Sequence, residues 1–289
     1  MPPLPLWPLL FVWVQAGPAP PVRSRAPFEV SLGVEVRRDR YHYRFENPSS
    51  FDTTALVPHS FRQSYVADNR WLVVRARYRV GRQLWATEVA VTPERVTLGD
   101  DFDTFRQPNG DVVTSGTRGD VSLRSWRIAQ RLVDAGSPRV RVLAGYVYRR
   151  DRARFHPADR VVTHTGPPAE TRTFITTRET TISETHELRF GVDRTWRRAG
   201  GWELRAAAEG APALVARLTT RLPDKYPGRD VVFVAFGGSA AWRLTAARAW
   251  RRWFVEASAD GERAWSYVSG REFGRSGLGG LVRAGVAVF

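Results

Sequence analysis

Long stretches of the chain alternate apolar and polar residues with a period of two. Between Phe28 and Phe45, residues Phe28, Val30, Leu32, Val34 and Val36 fall on one face, and Glu29, Ser31, Gly33, Glu35 and Arg37 on the other. From Trp71 to Val80 the pattern recurs, setting Leu72, Val74, Ala76, Tyr78 and Val80 against Arg75, Arg77 and Arg79. Further on, Val140, Val142, Ala144, Tyr146 and Tyr148 oppose Arg141 and Arg149, and His186, Leu188, Phe190 and Val192 share a phase. Successive arginines on one strand face do not fit a dry core, where every buried charge needs its own partner. They fit either the wet outside of a soluble sandwich or the charged lumen of a membrane barrel, and alternation alone leaves both open.

The connections separate the two. A long one, Glu46 to Arg70, follows strand one, and the tight Gly81-Arg82-Gln83 joins strand two to strand three, near Leu84 to Thr92. A second long connection ends near Gly119; strand four, Asp120 to Leu132, meets strand five across Asp134 to Pro138. Asp151 to Thr180 is the third, before strand six at Ile182 to Trp196, and Arg197 to Gly201 turns into strand seven, Trp202 to Gly210. Ala211 to Gly228 precedes strand eight, Val231 to Trp242; a link near Leu244 to Ala247 leads to strand nine, and Asp260 to Ser276 precedes the last strand, Gly277 to Phe289. Long and short connections alternating in this way predict an all-β fold, a closed antiparallel up-and-down transmembrane β-barrel of about ten strands, with both termini on one side. Loops of this length are foreign to compact soluble domains, where connections of about 4–6 residues prevail.

Trp71, Trp85, Trp126, Trp196, Trp202, Trp242, Trp250 and Trp253 collect at the ends of these strands, as expected of interfacial girdles. The last strand carries a conflict. Phe289 shares its phase with Arg283, whereas Val288, Val286, Ala284, Val282 and Leu278 make the cleaner apolar face, so either Arg283 sits near a membrane rim or the strand contains a bulge.

A membrane-spanning helix is excluded, because no run of ~18 apolar residues exists. Leu4 to Val14 reads as the core of a secretory signal peptide at residues 1–16, with Val14-Gln15-Ala16 at the cleavage site and the barrel occupying 17–289. The segment lacks the usual basic start. Localisation in the bacterial outer membrane follows from the pattern and the leader together. The chain has no cysteine, and a sheet paired all round needs no disulfide. A net charge of +15 ordinarily points to nucleic acid or an acidic membrane surface. Lys225 is the only lysine, an arginine bias that reads first as genomic composition. Without zinc-finger spacing, a basic heptad helix or an aromatic RNA-binding motif, nucleic acid is not the expected partner and outer-membrane lipid is.

The residues from Ser125-Trp126 through Leu132 into Arg139-Val140-Arg141-Val142-Leu143-Ala144-Gly145-Tyr146, then Arg154-Phe155, resemble the omptin family of ten-stranded outer-membrane endopeptidases. Thr185-His186-Glu187-Leu188-Arg189-Phe190 extends the resemblance more weakly, and strand count, loop order and the terminal Phe289 agree along nearly the whole mature chain. The resemblance implies an aspartate pair on the second long loop and an Asp-His pair on the fourth, holding a water that attacks the peptide bond. Asp101-Phe102-Asp103 matches the first pair; Asp224 in Leu222-Pro223-Asp224-Lys225-Tyr226 aligns with the second aspartate, and Tyr226 stands where the histidine belongs. A tyrosine with an ordinary pKa near ~10 is a poor base at neutral pH. The histidines of the predicted loops are His59, His156 and His164, and His186 reads as a strand residue near an interface.

Two functional expectations follow. The first is an omptin-like barrel with a degenerate protease centre and a structural, binding or transport role; the second is a surface aspartyl-type endopeptidase using Asp101, Asp103 and Asp224. A passive pore is a third reading, disfavoured by the narrow interior of ten strands. No HExxH, phosphate loop or serine elbow appears, so no cofactor or metal is expected. Arg75, Arg77 and Arg79 are candidates for lipopolysaccharide phosphates if they reach the outer rim, the other reading being lumenal pairing with Glu35, Glu88, Glu203 and Glu209. A peptide or protein substrate belongs to the endopeptidase reading. Gly237-Gly238 and Gly279-Gly280 inside strands mark bends or close backbone approach.

Overall fold

The computed structural model describes residues 27–46, 60–81, 83–106, 112–134, 140–164, 170–175, 178–197, 202–221, 223, 228, 230–268 and 270–288. Its strands are β1 (Phe28–Glu46), β2 (Ser60–Val80), β3 (Gln83–Val91), β4 (Arg95–Arg106), β5 (Val112–Asp134), β6 (Val140–Phe155), β7 (Ala158–His164), β8 (Glu170–Ile175), β9 (Glu179–Arg197), β10 (Trp202–Arg221), β11 (Asp230–Trp250), β12 (Trp253–Val268) and β13 (Arg271–Val288). Every pairing is antiparallel, and β1 bonds both β2 and β13, so the sheet closes. β3 and β4 lie one after the other between β2 and β5; β7 continues β6 along β5, and β8 folds back on β7. The result is a closed barrel of ten strands, with three further segments, β4, β7 and β8, extending it. Phe28 stands opposite both Val288 and Tyr78, which places the two ends of the described chain at one rim, here the inner end.

In the inner half the alternation sorts as the sequence predicts. Val30, Leu32, Val34 and Val36 of β1 are exposed on the outside, while Glu29, Ser31, Glu35 and Arg37 are buried in the lumen. From Phe28 to Val36 this outward apolar band rises about 20 Å at ~3.3 Å per residue and a tilt near 40°, close to the height of a hydrocarbon layer. The lumen beneath it is a lattice of ion pairs. Arg37 bonds Glu35, Asp39, Asp260 and Glu262; Arg127 bonds Glu35 and Glu88; Arg131 bonds Glu209; Arg205 contacts Glu203 and Glu256. Arg77 pairs with Glu29 at this inner end, Arg75 lines the inner lumen and Arg79 lies at the inner rim beside Pro27, so none of the three reaches the outer rim. Arg283 also points inward, onto Glu256, which settles the facing of the last strand: Val288, Val282 and Leu278 are outside, and neither a rim position nor a bulge is needed. Phe289 lies outside the described residues.

In the outer half the faces exchange content. Beyond Val36 the outward residues of β1 are Arg38, Arg40, His42 and Arg44, and the inward ones become Tyr41, Tyr43 and Phe45. Together with Tyr65, Val121, Leu123, Phe155, Leu214, Leu218, Phe233 and Phe273 these aromatic and aliphatic side chains form one core inside the barrel. A bulge in β10 sets Ala211 and Leu214 both inward with Pro212 and Ala213 outside, so Leu214, Ala216 and Leu218 join that core.

Several strand limits therefore differ from the sequence reading. The long connections are largely strand: β2 begins at Ser60, β4 occupies the second one, β10 runs on to Arg221, and β12 and β13 fill most of the interval from Asp260 to Ser276. The link expected at Leu244 to Ala247 lies within β11, whose turn to β12 is Arg251-Arg252. Trp71 is not interfacial; it is wholly buried in the lumen beneath Arg127 and Arg149. Trp202, Trp242, Trp250 and Trp253 do face outward, and Arg248 stacks between Trp202 and Trp250 near the inner rim. Gly237 has no room for a β-carbon against Ser266, the close approach expected of it.

Candidate functional site

Asp101 and Asp103 lie on strand β4, not on a loop, and this changes what they face. Period two turns both inward, on either side of the outward Phe102, and strand pairing sets Asp101 between Gln63 and Thr117 and Asp103 between Phe61 and Ser115. Both are buried, at 1% and 0% exposure. Two residues that the sequence reading missed complete the cluster. Glu179, the first residue of β9, hydrogen-bonds the Asp101 carboxyl, and Arg160 of β7 stands 3.1 Å from Glu179 and 3.9 Å from Asp101. Glu179 continues inward the series Thr181, Ser183, Thr185 and Glu187, so following the alternation outward past Ile182 finds it.

Two acids in hydrogen-bond contact cannot both be ionised at low cost. Burial, then the Asp101 charge, push Glu179 up to about 8 against the pull of Arg160. At neutral pH Glu179 thus carries a proton and donates it toward Asp101, while Arg160 also reaches Thr117 at 3.4 Å. Just below, Thr181 donates to Gln63 at 2.7 Å, joining β9 to β2 across the lumen, and Thr181 and Thr220 lie 3.3 Å apart. The carboxylates sit on top of a packed interior and are themselves covered.

Asp224 and Tyr226, the expected second half of the centre, lie outside the described residues, as does His59. His156 faces outward and contacts Ser122; His186 faces outward against Tyr146; His42 approaches Glu272. Among the described side chains no histidine meets Asp101 or Asp103. Nor is any trio of His, Cys, Asp and Glu placed to hold a metal ion among the described residues.

Ten antiparallel strands closed on themselves, with a tall outer half and acidic residues at its mouth, decide the architecture. The fold is that of the omptin-type outer-membrane barrel. The structure is similar to the outer membrane protease OmpT from Escherichia coli, with a TM-score of 0.66 at 8% identity, over 90% of this chain and 96% of that one. It is also matched by the translocator domain of the autotransporter NalP from Neisseria meningitidis, at a TM-score of 0.38 and 10% identity over 89% of each chain, a likeness too loose to argue from. No family model and no curated protein sequence matches the chain. At such identity the likeness to the omptin-type barrel is one of fold, and the chemistry has to be read from the residues present.

Proposed function

We propose that the protein, exported by residues 1–16, is a surface barrel of the bacterial outer membrane with a degenerate protease centre and a binding role toward outer-leaflet lipid. The observation that carries this reading is the burial of both Asp101 and Asp103, with Arg160 and a protonated Glu179 set against Asp101, where an attacking water between two open carboxylate pairs has no place. The filled lumen counts against a pore: Tyr41 donates to Asp151 at 3.1 Å and Arg149 to Asp39 at 3.1 Å, from opposite walls. What remains available is the outside. Arg38, Arg40, Arg70, Arg124 and Arg152 are exposed just above the apolar band, the level of the phosphates of lipopolysaccharide.

Refolded full-length protein is expected to leave dibasic peptides intact, to show no discrete conductance steps in a planar bilayer, and to bind lipopolysaccharide in a salt-sensitive manner. Replacing Arg38, Arg40 and Arg152 by Ser should weaken that binding at least tenfold. Peptide cleavage lost on Asp103→Ala overturns the reading in favour of an endopeptidase using Asp101, Asp103 and Asp224.

A further inference from the structure

On the outward face, away from the lumen, a nucleophile and a base meet. Ser122 of β5 and His156, just beyond β6, are joined by a hydrogen bond of 2.5 Å between Oγ and Nε2. The wall brings them together. Val121 pairs with Phe155 and Thr117 with Arg160, so the β6–β7 strand holds one more residue than β5 over this interval. At this bulge the His156 N–H donates to the Asp120 carbonyl at 2.9 Å, and the imidazole comes to rest on Ser122.

A cleft opens beside them. β2 pairs with β3 from Leu72 inward and with β4 from Tyr65 outward, and the ladder lapses in between. The gap is a cavity of about 260 Å³ lined by Ala67, Asp68, Arg70, Arg95, Val96 and Thr97. Val96, on the wall of this cleft, is the direct cross-strand neighbour of Ser122, whose side chain is itself buried at 4% exposure beside it. Arg95 Nε is buried there without a hydrogen-bond partner, and Val96 and Leu98 expose apolar surface alongside. A Ser–His pair next to cationic and apolar surface, above the membrane band, matches an ester whose alcohol part is anionic and whose acid part is a fatty acyl chain.

We propose that Ser122 and His156 form an esterase centre for the acyl esters of anionic outer-leaflet lipids, an assignment that rests on the outward face meeting that leaflet. His156 Nε2 takes the Ser122 proton as Oγ attacks the ester carbonyl. The carbonyl–oxygen bond to the alcohol breaks, and the alcohol leaves with the proton from His156. Water then attacks the acyl–serine, His156 again accepting its proton, and releases the fatty acid with Ser122 restored. Arg70 and Arg95 are positioned for the phosphate, and Val96 and Leu98 for the chain.

The test uses refolded full-length protein in three settings: micelles with p-nitrophenyl butyrate, phosphatidylglycerol vesicles, and lipopolysaccharide vesicles. Expected are labelling of Ser122 by a fluorophosphonate and release of fatty acid from one or both vesicle types, the two distinguishing phospholipid from glycolipid. Ser122→Ala should abolish labelling and hydrolysis, and His156→Gln should lower hydrolysis by ~10²-fold or more while strand circular dichroism is retained. Ser122→Cys, which keeps a nucleophile of similar size, should restore labelling by a thiol reagent. Absence of both labelling and p-nitrophenyl ester hydrolysis in the folded wild type overturns the centre even if lipopolysaccharide binds. Hydrolysis in micelles with none in either vesicle overturns the lipid substrate. Lost lipopolysaccharide binding with hydrolysis in micelles and phosphatidylglycerol vesicles intact counts against the binding role alone.

Discussion

The inner and outer halves of the barrel are made of the same strands with the same period of two, yet they are inside-out relative to each other. On β1 the inner half shows Val30, Leu32 and Val34 to the outside and hides Glu35 and Arg37; the outer half shows Arg38, Arg40 and Arg44 and hides Tyr41, Tyr43 and Phe45. The solvent accounts for the exchange. Where hydrocarbon surrounds the wall, apolar side chains go outward and charges pair within; where water surrounds it, the hydrophobic effect gathers apolar side chains inside as in a soluble protein. The two halves are thus held by different forces, ion pairs below and apolar packing above.

The largest effect should come from breaking the lower network. Arg37→Ala leaves Glu35, Asp39, Asp260 and Glu262 buried around a lost cation and is expected to cost about 3–5 kcal/mol in denaturant unfolding of the barrel in micelles. In the upper half the matching lesion is a cavity. Leu218→Ala, fully buried in the core with Leu214 and Phe233, should cost about 3 kcal/mol, with the ion-pair network and its salt response unaltered. A charge placed on the outside separates the halves next: Leu32→Arg on the lipid face should cost about 2–4 kcal/mol in vesicles, whereas Arg40→Leu above the band should change stability by less than about 0.5 kcal/mol. Equal costs for these last two would dissolve the distinction between the halves.

A separate test of the upper half is pH. Glu179 holds its proton in the folded barrel up to about 8, above its ordinary value of 4.5. Between those values the folded state binds more protons than the unfolded one, so stability falls as pH rises through this window and levels off above about 8. Unfolding midpoints measured from pH 5 to pH 9 should decline accordingly, and Glu179→Gln should flatten the decline.

The barrel itself was legible because outward apolar residues recur every second position from Phe28 to Val36 and from Leu72 to Val80 opposite charged ones, and because long and short connections alternate along the chain. Strand length was not. Trp71 and Gly210 looked like strand limits because the apolar set there moves to the other face, and a reader following one apolar face sees the strand end where it only changes surroundings. The same exchange hid the site: Asp101 and Asp103 read as residues of the second long loop, yet continuing the alternation through β4 turns both inward. Glu179, Arg160 and Thr181 are far apart in sequence from Asp101 and Gln63, so nothing local announced their meeting.

Period and composition alone determined that this chain alternates, that one face of its inner segments is charged, and that its alternating segments form a sheet without disulfides, because those properties depend on composition and on neighbours one and two residues away. The tertiary structure decided which carboxylate meets which guanidinium, that Arg283 points into the lumen, and that Asp101 lies covered by Arg160 and Glu179. It also decided that a bulge sets His156 on Ser122. Each of these depends on strand register and closure, which bring together residues separated by tens to hundreds of positions, and a pattern of period two carries no record of that pairing.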